Sequence, residues 1–296
     1  MRPARRYQVD LPDIDKAIEL ADWIEVLMLQ ARKPQLSRAR LIDDLAGRLS
    51  CSAQELEMPV SIALGEVTRR RRIAGSGYPL LTEGSVIKLD ATPASEFYRF
   101  LLLVSLDGPM RKGSRFREID QTFDNVVREA VSRYLGPGTE TIRFGWPVSE
   151  GRPTNFNDAL DWLSERLGLP VGIGKPPPHT KDGGLDVVAW KPFRDKRAAY
   201  ALLLVQCTVQ TDWHPKSKDI MDHVWLSRID SGRPVVICLA VPFVIPRNYP
   251  RWDELRRMTN IVFDRLRLTE VLANSDPSSI REMISWSDLE MTRLAI

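Results

Sequence analysis

Two neighbouring apolar runs constrain this chain more than any other feature. KDGGLDVVAWKPF, Lys181–Phe193, and AAYALLLVQCTVQ, Ala198–Gln210, are separated by a short charged turn. Their apolar and β-branched content reads as two β-strands buried in a protein interior. Each carries a polar residue where a buried strand should have none: Asp186 at the start of the first, Gln206 near the end of the second. Folding the runs into a hairpin about Lys196 sets these two opposite each other, because each lies ten positions from that residue. Directly opposed side chains have Cβ atoms about 4.5–5.5 Å apart. A carboxylate and an amide oxygen at that spacing suit a hard cation such as Mg²⁺.

A chain of 296 residues is long for one core, so two domains, or one domain with a large helical extension, are expected. The formal charge of +3 is too small to imply a nucleic-acid partner, which shifts attention to local clusters. Arg69, Arg70, Arg71 and Arg72 form one at a predicted helix end, and RKGSRFR, with Arg111, Lys112 and Arg115, forms another. The helix dipole accounts for one or two of the four arginines; the rest suit phosphates or an acidic partner, with a solvated surface as the plainer reading. Cys51, Cys207 and Cys238 are odd in number and widely spaced, which argues against a disulfide framework or a zinc site. No run approaches the roughly 18 apolar residues of a membrane span, and no apolar segment follows the basic N-terminus as in a secretory signal. A cytoplasmic protein with no membrane partner is expected.

Helical spacing predicts helices over residues 14–31, 37–49, 53–57, 62–73, 95–106 and 116–135, with a short strand at 86–89. Pro59 is expected to end the third of these, since a residue before proline avoids helical geometry. GPGTE, Gly136–Glu140, marks a boundary between a mostly helical N-terminal domain, 1–138, and a mixed α/β domain, 139–296. In the latter a strand at 141–144, a helix at 155–167 and a weak strand at 171–173 precede the hairpin. A helix at 218–229, the strand PVVICLAV at 234–241 and helices at 251–273 and 277–294 follow it. His179 and His214 fall in loops and are read as solvated.

A helix, three strands carrying an Asp after a glycine pair, a strand ending in Gln-Cys, then helix and strand: this order resembles the PD-(D/E)XK nuclease superfamily. GGLDVVAW with VQC is similar to the Mrr-like restriction endonuclease branch, in which Gln often takes the second acidic position. The resemblance covers residues 155–241. It implies an α/β fold with a mixed-sheet, restriction-endonuclease-like core, and Asp186 and Gln206 holding Mg²⁺ or Mn²⁺ together with the Cys207 carbonyl. Glu165 on the preceding helix would match the acidic position some members use for a second metal. The family's lysine would fall at position 208, where this chain has Thr208; Lys216 or Lys218 from the next loop would replace it, Lys216 being nearer. The implied activity is metal-dependent phosphodiester hydrolysis, on DNA in preference to RNA, in bacterial restriction or anti-phage defence, with a regulatory protein partner or self-association of the helical half. The rival reading is a nuclease-like module that binds or scaffolds without cleaving, favoured by Thr208. Hydrolysis of RNA is the third.

Overall fold

The computed structural model describes residues 15–31, 34–49, 51–107, 114–174 and 180–294. The protein is α/β and packs as two compact units, residues 1–103 with 272–296, and residues 104–271. The division expected near residue 138 falls inside the second unit. The cause is helix α5, Ser114–Leu135, which packs on strands of that unit. The C-terminal residues from Leu272 belong with the first unit.

In the first unit, α1 (Asp15–Ala31), α2 (Arg38–Leu49) and α3 (Ala53–Ala74) accompany an antiparallel sheet of β1 (Gln35–Ser37), β3 (Val86–Leu89) and β2 (Leu80–Glu83), in that order. Helix α10 (Arg281–Arg293) and the first part of α4 (Ser95–Asp107), up to Leu103, also belong to this unit. Contrary to the expected break at Pro59, α3 runs through it. Ser52 and Glu55 cap its start reciprocally, as a capping box does. Leu56, Val60, Ala63 and Val67 are buried on either side of the proline, and this packing outweighs one lost backbone hydrogen bond.

The arginine run ends the same helix and turns inward. Arg69 pairs with Glu66, and Arg71 donates to the Tyr78 carbonyl and to Asp90. Arg70 is fully buried and donates to Asp22 (2.5 Å), Glu25 (2.7 Å) and Glu66 (3.0 Å). Glu25 also accepts from Tyr78 and Tyr98. Three of the four arginines therefore neutralise the protein's own carboxylates, and Arg72 alone is exposed.

The second unit holds a five-stranded mixed sheet of order β4-β5-β6-β7-β8. β4 (Glu140–Arg143), β5 (Val187–Lys191) and β6 (Ala201–Cys207) are antiparallel. β7 (Val236–Ala240) and β8 (Ile261–Phe263) continue parallel to β6. On one face, α6 (Phe156–Leu167) and α7 (Asp222–Arg228) cover Val188, Trp190, Leu202 and Leu204. Alternate residues point to the opposite face, and α5 packs on β4, β5 and β6.

Several elements depart from the expected ones. The strand anticipated at 171–173 is a single bridge between Val171 and Ile229. The helix anticipated over 218–229 is a 3-10 turn, His214–Lys218, followed by α7. The helix anticipated over 251–273 divides into α8 (Trp252–Met258), β8 and α9 (Arg265–Leu272). Asn260 explains that division: its backbone N–H donates to the Ile237 carbonyl and its side-chain oxygen accepts from Ile237 N–H, which recruits the β-branched pair after it to the sheet edge.

Removing Arg70 leaves Asp22 and Glu25 buried without their cation. Arg70→Ala is therefore expected to destabilise the first unit by about 3–5 kcal/mol, and Arg72→Ala to stay within about 0.5 kcal/mol of the parent, both read by urea unfolding.

Candidate functional site

The hairpin register is the one the sequence spacing gives. Val187 pairs with Val205 and Lys191 with Ala201, so Asp186 and Gln206 are the next opposed pair. Asp186 N–H donates to the Val205 carbonyl (3.0 Å), and the Asp186 carbonyl accepts from both Phe144 N–H (2.7 Å) and Gly145 N–H (3.0 Å). The side chains converge as well. Gln206 Nε2 donates to Asp186 Oδ2 (2.7 Å) and to the Cys207 carbonyl (2.9 Å), while Cys207 N–H donates to the same Asp186 oxygen (2.8 Å).

These groups line an open cleft of about 120 Å³ at the carboxyl end of β6. Helix α5 sends Asp120 and Asp124 into it. Asp124 is buried and accepts from Arg143 Nε at 2.9 Å. Arg143 also donates through Nη1 to the Pro147 carbonyl (2.7 Å) and Ser149 Oγ (3.1 Å). Sequence reasoning did not single out Asp124. Its signal was an acidic side chain on a helical apolar stripe, three and seven residues before the buried Val127 and Val131.

Gly145 shows how tightly the segment after β4 closes on Asp186. A Cβ there would lie 2.8 Å from Asp186 Oδ1, so any other residue displaces the carboxylate. Gly184 plays a similar part on the other side. Its φ is +80°, and a Cβ would meet Asp219 Cβ at 2.8 Å and its carbonyl oxygen at 2.9 Å. The glycine pair thus admits the turn that carries Lys216, whose ammonium reaches Asp219 at 3.0 Å and which lines the cleft.

The other expected residues are placed as follows. Lys218 pairs with Glu254 (3.1 Å) and is not among the cleft residues. Glu165 lies on the exposed side of α6, also outside the cleft. Thr208 lines the cleft, is buried, and its hydroxyl accepts from Gln210 N–H (3.3 Å). His214 is buried rather than solvated, its Nδ1 2.9 Å from the Tyr249 hydroxyl. Arg111, Lys112 and His179, and the side chain of Arg115, lie outside the described residues.

Charge in the cleft is poorly compensated. Burial pushes Asp124 up to about 7, against the pull of Arg143 and with a further push from Asp120. Burial, then the neighbouring charge of Asp124, hold Asp186 well above the ordinary carboxylate range despite the Cys207 N–H. Burial and both carboxylates raise the Cys207 thiol too. Two carboxylates thus share one guanidinium, and they favour either a proton or a further cation. The amide of Gln206 points the same way: its nitrogen sits between two oxygen acceptors while its own buried oxygen has no hydrogen-bond donor. Turning the amide over would bring three oxygens together, an arrangement that a proton on Asp186 or a bound cation satisfies. Such an all-oxygen set suits Mg²⁺ or Mn²⁺. Among the described residues no group of three or more His, Cys, Asp or Glu is assembled to hold a metal; the set here has two carboxylates, one amide and one main-chain carbonyl. Among them, too, no helix is long and apolar enough to cross a membrane.

The raised carboxylates fix a sign. A folded state that keeps a proton on Asp124 up to about pH 7, where the unfolded chain has released it, is stabilised at low pH. That contribution is lost as pH rises from about 4 through about 7. In EDTA, the stability of the parent minus that of Asp124→Asn, from chemical unfolding, is expected to fall across that window. A flat difference overturns the assignment. Compared with known proteins, the chain matches no family model, no curated protein and no solved structure.

Proposed function

We propose that this chain is a metal-dependent phosphodiesterase acting on nucleic acid, DNA in preference to RNA. The observation that carries the reading is the convergence of Asp186, Gln206 and the Cys207 carbonyl, with Asp124 beside them and Lys216 on the same cleft wall. The order of elements supports it: α5, the antiparallel β4-β5-β6, then α7 and the parallel strand β7, the helix–strand–strand–strand–helix–strand order of a restriction-endonuclease-like core. In this reading α5 is the leading helix and α6 an insertion between β4 and β5. The acidic side chains on the leading helix are then Asp120 and Asp124, not Glu165.

Asp186, the Gln206 amide oxygen and the Cys207 carbonyl would hold Mg²⁺ or Mn²⁺, with Asp124 as the adjoining negative charge. When bound, such an ion supplies an acidified water and positive charge for the phosphate. The protein's own part is geometric and electrostatic. Arg143 fixes Asp124, the β5–β6 ladder fixes Asp186 against Gln206, and Lys216 brings a mobile positive charge to the phosphate from the turn that Asp219 anchors. A role as an effector of bacterial restriction or anti-phage defence, with a regulatory partner or self-association, rests on the family resemblance alone.

One observation favours the second reading, a module that binds without cleaving. The position two after Gln206 is Thr208, buried and engaged with the backbone, and a hydroxyl supplies no positive charge.

Incubation of supercoiled plasmid, and separately of RNA, with Mg²⁺, Mn²⁺ or EDTA decides between them. Metal-dependent cleavage is expected, slowed about a hundredfold or more by Asp186→Ala and by Lys216→Ala and left unchanged by Lys218→Ala. Binding without cleavage under every metal condition establishes the module instead. Cleavage of RNA with plasmid intact moves the substrate to RNA.

A further inference from the structure

The geometry points to Trp146 as a stacking platform for a nucleobase beside the scissile phosphodiester, which makes single-stranded or locally unpaired nucleic acid the substrate. This deepens the phosphodiesterase reading and rests on it for the identity of the ligand. Of the eight tryptophans, Trp146 alone is exposed, at 44%. A tryptophan is usually well covered, and this one lines the same cleft as Asp186, Gln206 and Lys216. Among the described residues no hydrogen bond or ring contact engages its indole, whereas Trp190 and Trp225 are core residues and Trp162 carries the Arg166 guanidinium on its face.

The backbone on both sides of Trp146 is tied to the carboxylates. Ahead of it, Phe144 and Gly145 donate to the Asp186 carbonyl. Behind it, the Pro147 carbonyl accepts from Arg143, the residue that holds Asp124. The backbone that carries the exposed ring is therefore fixed relative to the groups that would act on the phosphate. That is how a recognition group, as opposed to a surface residue, is supported.

Stacking adds affinity to that of Lys216, the cation among the cleft's lining residues. Asp120, Asp124 and Asp186 make the cleft acidic, and Arg69, Arg70 and Arg71 are committed to internal carboxylates and a carbonyl. Contact between a base and an aromatic ring is sequence-tolerant and does not depend on neutralising phosphates. A base within a duplex is covered on both faces, so an indole reaches it only in a single strand, at a frayed end or after extrusion.

The test measures binding and cleavage separately. Fluorescence anisotropy in EDTA, with a labelled single-stranded DNA oligonucleotide alone and annealed to its full complement, reads binding without hydrolysis. Trp146→Ala is expected to weaken binding of the single strand about five- to hundredfold and to leave the duplex unaffected, with Trp146→Phe close to the parent. Quenching of indole fluorescence by the single strand is expected in the parent and reduced in Trp146→Phe, a readout that survives should the alanine variant fold poorly. Equal binding of the single strand by parent and alanine variant, equal loss for both substrates, or unchanged quenching in the phenylalanine variant overturns the proposal. Stacking in EDTA with no cleavage under any metal sinks the phosphodiesterase reading alone, and cleavage of single strands with KM unchanged in Trp146→Ala sinks the stacking alone.

Discussion

The peptide of Asp186 is the point on which the second unit's arrangement depends. Its N–H is given to β6, its carbonyl takes two N–H groups from the segment after β4, and its carboxylate takes a side-chain and a backbone N–H from the end of β6. One residue thus joins three strands while presenting its carboxylate to the cleft. A slip of a single residue in the β5–β6 register would turn Asp186 and Gln206 to opposite faces. The apolar alternation of Val188, Trp190, Leu202 and Leu204 against α6 prevents that slip. Core packing and site geometry are consequently one constraint, and the flanking glycines follow from it, since a side chain at 145 would collide with the same carboxylate.

Two buried polar clusters among the described residues differ in how completely they are neutralised. In the first unit, Asp22, Glu25 and Glu66 surround one fully buried arginine, and two tyrosine hydroxyls complete Glu25. Burying such a cluster costs desolvation that its internal contacts offset. In the cleft, Asp124 and Asp186 have Arg143 alone, an amide oxygen has no donor, and an arginine nitrogen has no acceptor. Raised carboxylates of this kind, opening to solvent, are where a ligand's charge lowers the free energy most. The contrast separates a structural knot from a site without appeal to which residues the knot contains.

What was legible in the sequence followed from short-range pattern. The hairpin register and the helices 95–107 and 114–135 follow from periodicity and turn chemistry. Long-range competition hid the rest. Pro59 is helical because packing around it overrides local preference, and Ile261–Phe263 is a strand because Ile237 offers it an edge. The arginine run looked like a phosphate surface, since a sequence does not show that Asp22 and Glu25, some 45 residues earlier, fold against it. Asp124 escaped notice for a related reason: its partners, Arg143 and Cys207, lie on β4 and β6.

Thr208 and Lys216 show how a positive charge is brought to this cleft by a route other than the strand. At position 208 the chain is still hydrogen-bonded to the neighbouring strand, Thr208 N–H donating to the Ala240 carbonyl, and the side chain is buried. A lysine at that position would present its ammonium from the strand itself, beside two carboxylates short of compensation. The charge comes instead from the turn His214–Lys218, which begins seven residues after the end of β6. That turn is seated on Gly184 through Asp219, whose carboxylate pairs with Lys216. Because Gly184 stands two residues before Asp186, the element carrying the cation and the element carrying the anion share one anchor. Their separation is set by the absence of a single methyl group. A glycine pair that reads in sequence as a flexible lead into a strand therefore acts as the spacer that brings lysine and aspartate to the same cleft.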